Sequence, residues 1–298
     1  GSAHWRTAAH RPLVGPYGPP VIEQGALTLA SALRELGYRT AAVGKWHLGL
    51  RYPSTGGGWT QSESAVDFHG TLEGGPTALG FDHFFGTAGC STSDPPYTFI
   101  EDDRFPTAPT AQTPSELAAL PGVLPGAMDP AWDVSVVDDV LVDHALGLLE
   151  EHARASTGPP LLLYLALSAP HNPWEAPPAL RGVTGDGQRG DMAAWFDRSV
   201  GRVLDGLDRL ELSQEALVIV TSDHGPQYEQ GPNGHRPTGP FRGRKNTVWE
   251  GGLRVPFWVR WPGRIRAGAT SSMPLVHTDL FPTLLALAST AGPGSPEA

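Results

Sequence analysis

Gly37-Tyr38-Arg39-Thr40-Ala41-Ala42-Val43-Gly44-Lys45-Trp46-His47-Leu48-Gly49 is the stretch from which the fold can be read. Leu29, Leu33 and Leu36 precede it at helical spacing, and Gly37 is suited to end that helix. Thr40 to Val43 are small or β-branched, which predicts a short buried strand. Gly44 then turns the backbone, and Lys45 and His47 project from the loop beyond the strand. Open α/β sheets bind their ligands at that edge. An ammonium two residues from an imidazole suits an anionic ligand, because the Lys holds charge while the His moves a proton. Taken alone, Lys-x-His can equally be two solvated residues at a strand end.

Working outward, helix 27–36 is preceded by an irregular, proline-rich segment, 1–26. Residues 51–130 are rich in Gly, Pro, Ser and Thr and are predicted to form a long irregular insertion, with aromatic islands at 80–86 and 95–104. A helix is expected over 133–152, where Val137, Leu141, Ala145, Leu148 and Leu149 share a face. Leu161 to Leu167 is almost continuously apolar, as for a central parallel strand covered on both faces. It empties into Ser168-Ala169-Pro170-His171-Asn172-Pro173. A second long helix is predicted over 191–210, with Trp195, Val200, Val203, Leu204 and Leu207 facing inward. Ala216 to Thr221 reads as another buried strand, ending at Ser222-Asp223-His224-Gly225. Val255 to Trp261 reads as a further strand and 279–287 as a closing helix with Pro282 in its first turn. Helices alternating with strands that end in polar clusters describe an α/β class with a mainly parallel central sheet flanked by helices. The whole of 1–298 is expected to be one such domain, with a disordered or shortened tail at 291–298.

Hydrophobic residues make up 40% of the chain and charged residues 17%, a globular balance. A formal net charge of -10 argues against nucleic acid and against an anionic membrane surface as partners. An anionic ligand must therefore be held by a local cluster of cations. With one cysteine, Cys90, the chain has no disulfide framework of its own. No apolar run approaches the ~20 residues that span a bilayer. No initiator Met or signal peptide is present, and the chain is expected to start inside a longer protein.

Three polar clusters follow strand ends: Lys45/His47, His171 and Asp223/His224. A fourth, Arg242-Gly243-Arg244-Lys245, precedes Glu250-Gly251-Gly252-Leu253-Arg254-Val255-Pro256. Each has a plainer alternative: His171 as a turn cap, Asp223-His224 as a hydrogen-bonded turn, the basic run as a solvated loop. Asp102-Asp103 and Asp138-Asp139 are expected on solvated faces.

The stretch 37–47 resembles the second signature of the sulfatase family, through Gly37, Tyr38, Thr40, Val43, Gly44, Lys45, Trp46 and His47. Gly80 to Gly86, Pro96 to Arg104, Ala169-Pro170-His171-x-Pro173, Thr221 to Gly225, Lys245 to Pro256 and Asp279 to Leu285 are similar to further family segments in the same order. The resemblance implies an arylsulfatase A-like member of the alkaline phosphatase superfamily that hydrolyses sulfate esters of aryl or carbohydrate substrates. It implies a formylglycine nucleophile, made in a Cys/Ser-x-Pro-x-Arg motif, and one Ca²⁺ ion. Asp223 and His224 would be metal ligands, and Lys45 and Lys245 would contact the sulfate oxygens. His171 would meet the leaving oxygen as acid or sulfate contact, and His47 would take a proton in the step that releases sulfate. A periplasmic or secreted location is likewise implied.

Two departures accompany the match. His224 stands where many relatives carry Asn, although Ca²⁺ prefers oxygen donors. No Cys-x-Pro-x-Arg or Ser-x-Pro-x-Arg occurs in the 298 residues: Cys90 leads into Ser91-Thr92-Ser93-Asp94, and Ser272-x-Pro274 has Val276 in place of Arg. The Asp-Asp pair that supplies two family metal ligands is also absent. The expectation is a segment truncated at both ends, inactive by itself. A related metal-dependent phosphatase or phosphodiesterase, and a non-catalytic remnant that binds sulfated glycans, are the alternatives.

Overall fold

The computed structural model describes residues 14–290 except 156, 232 and 233. The predicted irregularity of 1–13 and the tail 291–298 lie outside the described residues. The chain divides into two compact units, one of residues 1–173 with 273–298 and one of residues 174–272.

In chain order the strands are β1 (Arg39–Lys45), β2 (Tyr52–Pro53), β3 (Trp59–Thr60), β4 (His83–Thr87), β5 (Ile100–Glu101), β6 (Ala111–Gln112), β7 (Ala127–Met128), β8 (Leu161–Ala166), β9 (Val218–Thr221) and β10 (Phe257–Arg260). The helices are α1 (Leu29–Glu35), α2 (Ser115–Ala118), α3 (Val137–Arg154), α4 (Gly187–Arg209), α5 (Glu250–Leu253) and α6 (Leu280–Thr290).

The first unit is built on a sheet of order β5-β4-β1-β8. β1 runs parallel to both β4 and β8, while β5 is antiparallel to β4. Thr28 opens α1 with a reciprocal capping bond to Ser31. Gly37 ends the helix as its sequence position suggests, with φ +87 and Tyr38 N donating back to Leu33 O. Side chains alternate across β1. Ala41 and Val43 pack on Leu141, Ala145 and Leu148 of α3, with Leu161, Leu163 and Leu165 of β8 alongside. Ala42 faces the other way, into a cluster with Leu50, Tyr52, Val66, Phe84, Ile100 and Phe105. Fully burying side chains such as Tyr52, Phe84 and Ile100 contributes roughly 1.5–3 kcal/mol apiece.

Residues 51–130 are therefore less irregular than their composition predicts. They supply β4 and β5 of the main sheet and the core layer on one face of β1. Two further readings need correction. Leu161 to Ala166 forms a strand, but β8 ends the sheet order among the described residues, and Tyr164 is 53% exposed. Val218 to Thr221 also forms a strand, yet all four residues are half-buried, and β9 pairs antiparallel with β10 in the second unit. An unbroken apolar run reports hydrophobicity, not which faces are covered, so both strands read as more deeply buried than they are. The mixed sheet, with parallel strands flanked by helices, keeps the α/β class.

Candidate active site

Lys45 is the last residue of β1 and half-buried; among the described residues it makes no ion pair. Pairing with the β4 side continues past the strand, as Trp46 N donates to Thr87 O (3.0 Å) and His47 N to Ala88 O (2.9 Å). His47 adopts φ +54, a left-handed conformation that an L-residue enters at a cost. Its Nε2 lies 3.0 Å from the Val14 carbonyl. A carbonyl only accepts, so Nε2 carries the proton and Nδ1 is the basic nitrogen. Burial and the Lys45 charge together outweigh the help of Asp94 and Val14 and lower the His47 pKa. At neutral pH His47 is thus an uncharged base.

His171 is positioned from the opposite side of β1. The buried Asp138 carboxylate, at the start of α3, accepts from Ser168 N and Ala169 N, both at 2.8 Å. His171 N donates to Ser168 O (2.8 Å), and Asn172 is tied through Nδ2 to Pro121 O (2.7 Å). The ring itself presents Nδ1 to the Asn172 carbonyl at 2.6 Å and to Cys90 Sγ at 3.2 Å. Burial opposes charge on His171, but the contact with Cys90 and the Asn172 carbonyl prevail and raise its pKa. Burial pushes the Cys90 thiol up, yet His171 and Lys45 bring it down to about 7. Asp94 joins the two histidine loops: its Oδ2 accepts from Cys90 N at 2.9 Å and lies 3.7 Å from His47 Nε2.

The second unit carries the other predicted residues. Asp223 Oδ2 lies 3.1 Å from His224 Nε2, and His224 Nδ1 is 2.8 Å from the Gly225 carbonyl. The loop of Lys245 is laced to this turn, with Lys245 N donating to Pro226 O (2.7 Å) and Gly225 N to Gly252 O (2.9 Å). One carboxylate and one imidazole at this separation can both face a divalent ion. They are too few for Ca²⁺, which takes six to eight oxygen donors. Among the described residues no group of three or more His, Cys, Asp or Glu stands together as a metal site.

Lys45, His47 and His171 thus come together in the first unit, and Asp223, His224 and the Lys245 loop in the second. Sequence reasoning does not reach Cys90, Asp94 or Asp138, and the strand that places Cys90 and Asp94, β4, carries no alternation that would have marked its end. Nor is Asp138 on a solvated face: it is fully buried. Asp102 is not simply solvated either, since its Oδ1 accepts from Phe84 N and pairs with His83 Nδ1, both at 2.9 Å.

The family model described as Sulfatase matches residues 7–290. An N-acetylgalactosamine-6-O-sulfatase of Bacteroides thetaiotaomicron is 29% identical over 308 residues, covering 90% of this chain and 57% of its own. The steryl-sulfatase of Mus musculus is 31% identical over 351 residues, covering 98% of this chain and 52% of its own. The chain thus spans about half the length of these curated relatives. A structure from work on glycosaminoglycan metabolism by Bacteroides thetaiotaomicron (BT33336S-sulf) superposes with a TM-score of 0.79 at 26% identity, covering 99% of this chain and 66% of that one.

Proposed function

Because the chain belongs to the sulfatase family, we propose that it is part of a sulfuric ester hydrolase acting on a sulfated glycan, with 6-O-sulfated N-acetylgalactosamine as the unit recognised. The observation that carries this reading is the grouping of Lys45, the last residue of β1, with His47 and His171 in the loops that follow β1 and β8. The name of the bacterial relative supports the choice of sugar.

Lys45 holds the sulfate, and its charge gains value as negative charge builds on the oxygens in the transition state. His171 keeps its proton on Nδ1, so Nε2 faces the leaving oxygen and delivers a proton when the ring is cationic. His47, neutral and basic at Nδ1, removes a proton. For Lys245, in the second unit, a sulfate contact is what the family resemblance implies. Family membership implies a formylglycine nucleophile and a divalent metal, which supply the attacking oxygen and neutralise charge on the sulfate. Asp223 and His224 are the donors this chain offers to that ion, proposed to be Ca²⁺. No residue here lies in a Cys/Ser-x-Pro-x-Arg motif, so no step is assigned to a nucleophile. A periplasmic or secreted setting fits an extracellular glycan, and no described helix is long and apolar enough to cross a membrane.

Calorimetric titration with 6-O-sulfo-N-acetylgalactosamine and its unsulfated parent tests the reading. Only the sulfated sugar should bind, and Lys45→Ala should abolish the preference; equal binding of the two sugars, or none, overturns it. In a protein that also carries the nucleophile, Lys45→Ala and Lys245→Ala should each lower turnover by roughly two to three orders of magnitude. Binding without hydrolysis there selects the non-catalytic reading. The likeness to steryl-sulfatase favours a second substrate, a steroid or aryl sulfate. Tighter binding of a steroid sulfate than of the sugar would select it.

A further inference from the structure

We propose that Cys90 is a positioning residue for His171, its buried sulfur sharing the Nδ1 proton with the Asn172 carbonyl and so keeping the ring cationic with Nε2 outermost. Its part in catalysis rests on the sulfatase reading above; the pairing itself does not.

The geometry carries the argument. Cys90 is 1% exposed and its sulfur stands 3.2 Å from His171 Nδ1. The same nitrogen lies 2.6 Å from a carbonyl that can only accept, so the proton belongs to Nδ1. A thiol proton would then have no place on that nitrogen, and the sulfur serves as acceptor. A sulfur that accepts from an imidazole is favoured as thiolate, and an imidazole that donates to a thiolate is favoured as imidazolium. Proton transfer from Cys90 to His171 Nε2, by way of solvent, balances the pair without any oxidant.

The surroundings favour this state. Cys90 N is fixed by Asp94, and Thr92 Oγ1 is 3.6 Å from the sulfur. The charged and titratable groups acting on the pair are Lys45, His47, Asp94 and Tyr97. Lys45 favours the thiolate and opposes the imidazolium, whereas Asp94 disfavours a second negative charge on the sulfur. Tyr97 is itself buried and its pKa is raised beyond the ordinary range, chiefly by burial, so it stays neutral. A general acid at the leaving oxygen must be protonated near working pH. The sulfur, together with the Asn172 carbonyl, moves the ring toward that requirement.

Two titrations of the 298-residue chain test the pairing without any turnover. With one cysteine present, thiolate absorbance near 240 nm reports Cys90 alone. Its midpoint should fall near 7 and return toward the ordinary 9.0 in His171→Gln. The His171 ring resonance, assigned by its loss in His171→Gln, should titrate at lower pH in Cys90→Ala and Cys90→Ser than in the parent. Serine keeps the shape and a hydrogen bond but not the negative charge, so a purely steric role would leave the Cys90→Ser midpoint unchanged. An unchanged His171 midpoint in the serine variant, or a thiol titrating near 9 in the parent, overturns the proposal. Should Cys90→Ala fail to fold, the serine variant and the thiol titration decide. Failure of sulfated sugars to bind would instead defeat the sulfatase reading and leave both titrations standing.

Discussion

Replacing Asp138 with alanine is expected to damage the His171 loop through two stranded amides. Ser168 N and Ala169 N both donate to this carboxylate at 2.8 Å, and both residues are buried. A buried donor left without an acceptor costs about 1–3 kcal/mol, so the pair amounts to roughly 2–6 kcal/mol. That is a large share of the ~5–15 kcal/mol that holds a typical domain together. The loss should also depend on pH. Burial, only partly offset by the backbone amides, raises the Asp138 pKa from 3.8 to about 6. A carboxyl raised in the folded state contributes stability that is fully present below 3.8 and is lost as pH rises through about 6. The difference corresponds to roughly 3 kcal/mol between the two limits. Urea unfolding of parent and Asp138→Ala, followed by tryptophan fluorescence at pH 4.5 and pH 7.5, measures both effects. The variant should be less stable at both values and suffer more at the lower one. A loss under about 1 kcal/mol, or a larger loss at pH 7.5, would refute the reasoning.

Gly44→Ala should destabilise the first unit by roughly 4 kcal/mol or more, because its Cβ would land on the Ala166 carbonyl and its φ is +115. Parent-like thermal unfolding of that variant would count against the three-strand packing described here. His83 and His144 meet Nε2 to Nε2 at 2.7 Å, a separation that accommodates one proton. Burial and then His83 depress the His144 pKa, so its contribution is present above 6.5 and lost as pH falls through the lower folded value. His144→Phe preserves stacking on Phe85 and should flatten the decline of stability on the acid side; an unchanged slope in chemical denaturation would exclude this origin.

The strand carrying Lys45 was legible because three features agree: a leucine-spaced helix, a glycine that closes it, and a short run of small and branched residues. The apolar face of α3 was equally plain, and Val137, Leu141, Ala145, Leu148 and Leu149 are all buried. β4 was not, since His83-Phe84-Phe85-Gly86-Thr87 sits among turn-forming residues and has no alternation to mark it. Asp138 escaped for another reason. Periodicity places it in the first turn of a helix but cannot show that amides thirty residues onward will close over it. The tie between Cys90 and His171 spans 81 positions and exists only once β4 and β8 flank β1. The depth of β8 and β9 was overestimated because an apolar run does not reveal its neighbours.

Gly44, Gly86 and Ala166 lie side by side across β1, β4 and β8, just below Lys45. A Cβ on Gly86 would strike the Gly44 carbonyl, as one on Gly44 would strike Ala166. The floor beneath the cation is therefore bare peptide with no room for ornament. Any lineage, or any designer, wishing to retarget this site must work through the loops around it. The base admits no vocabulary but the smallest residues.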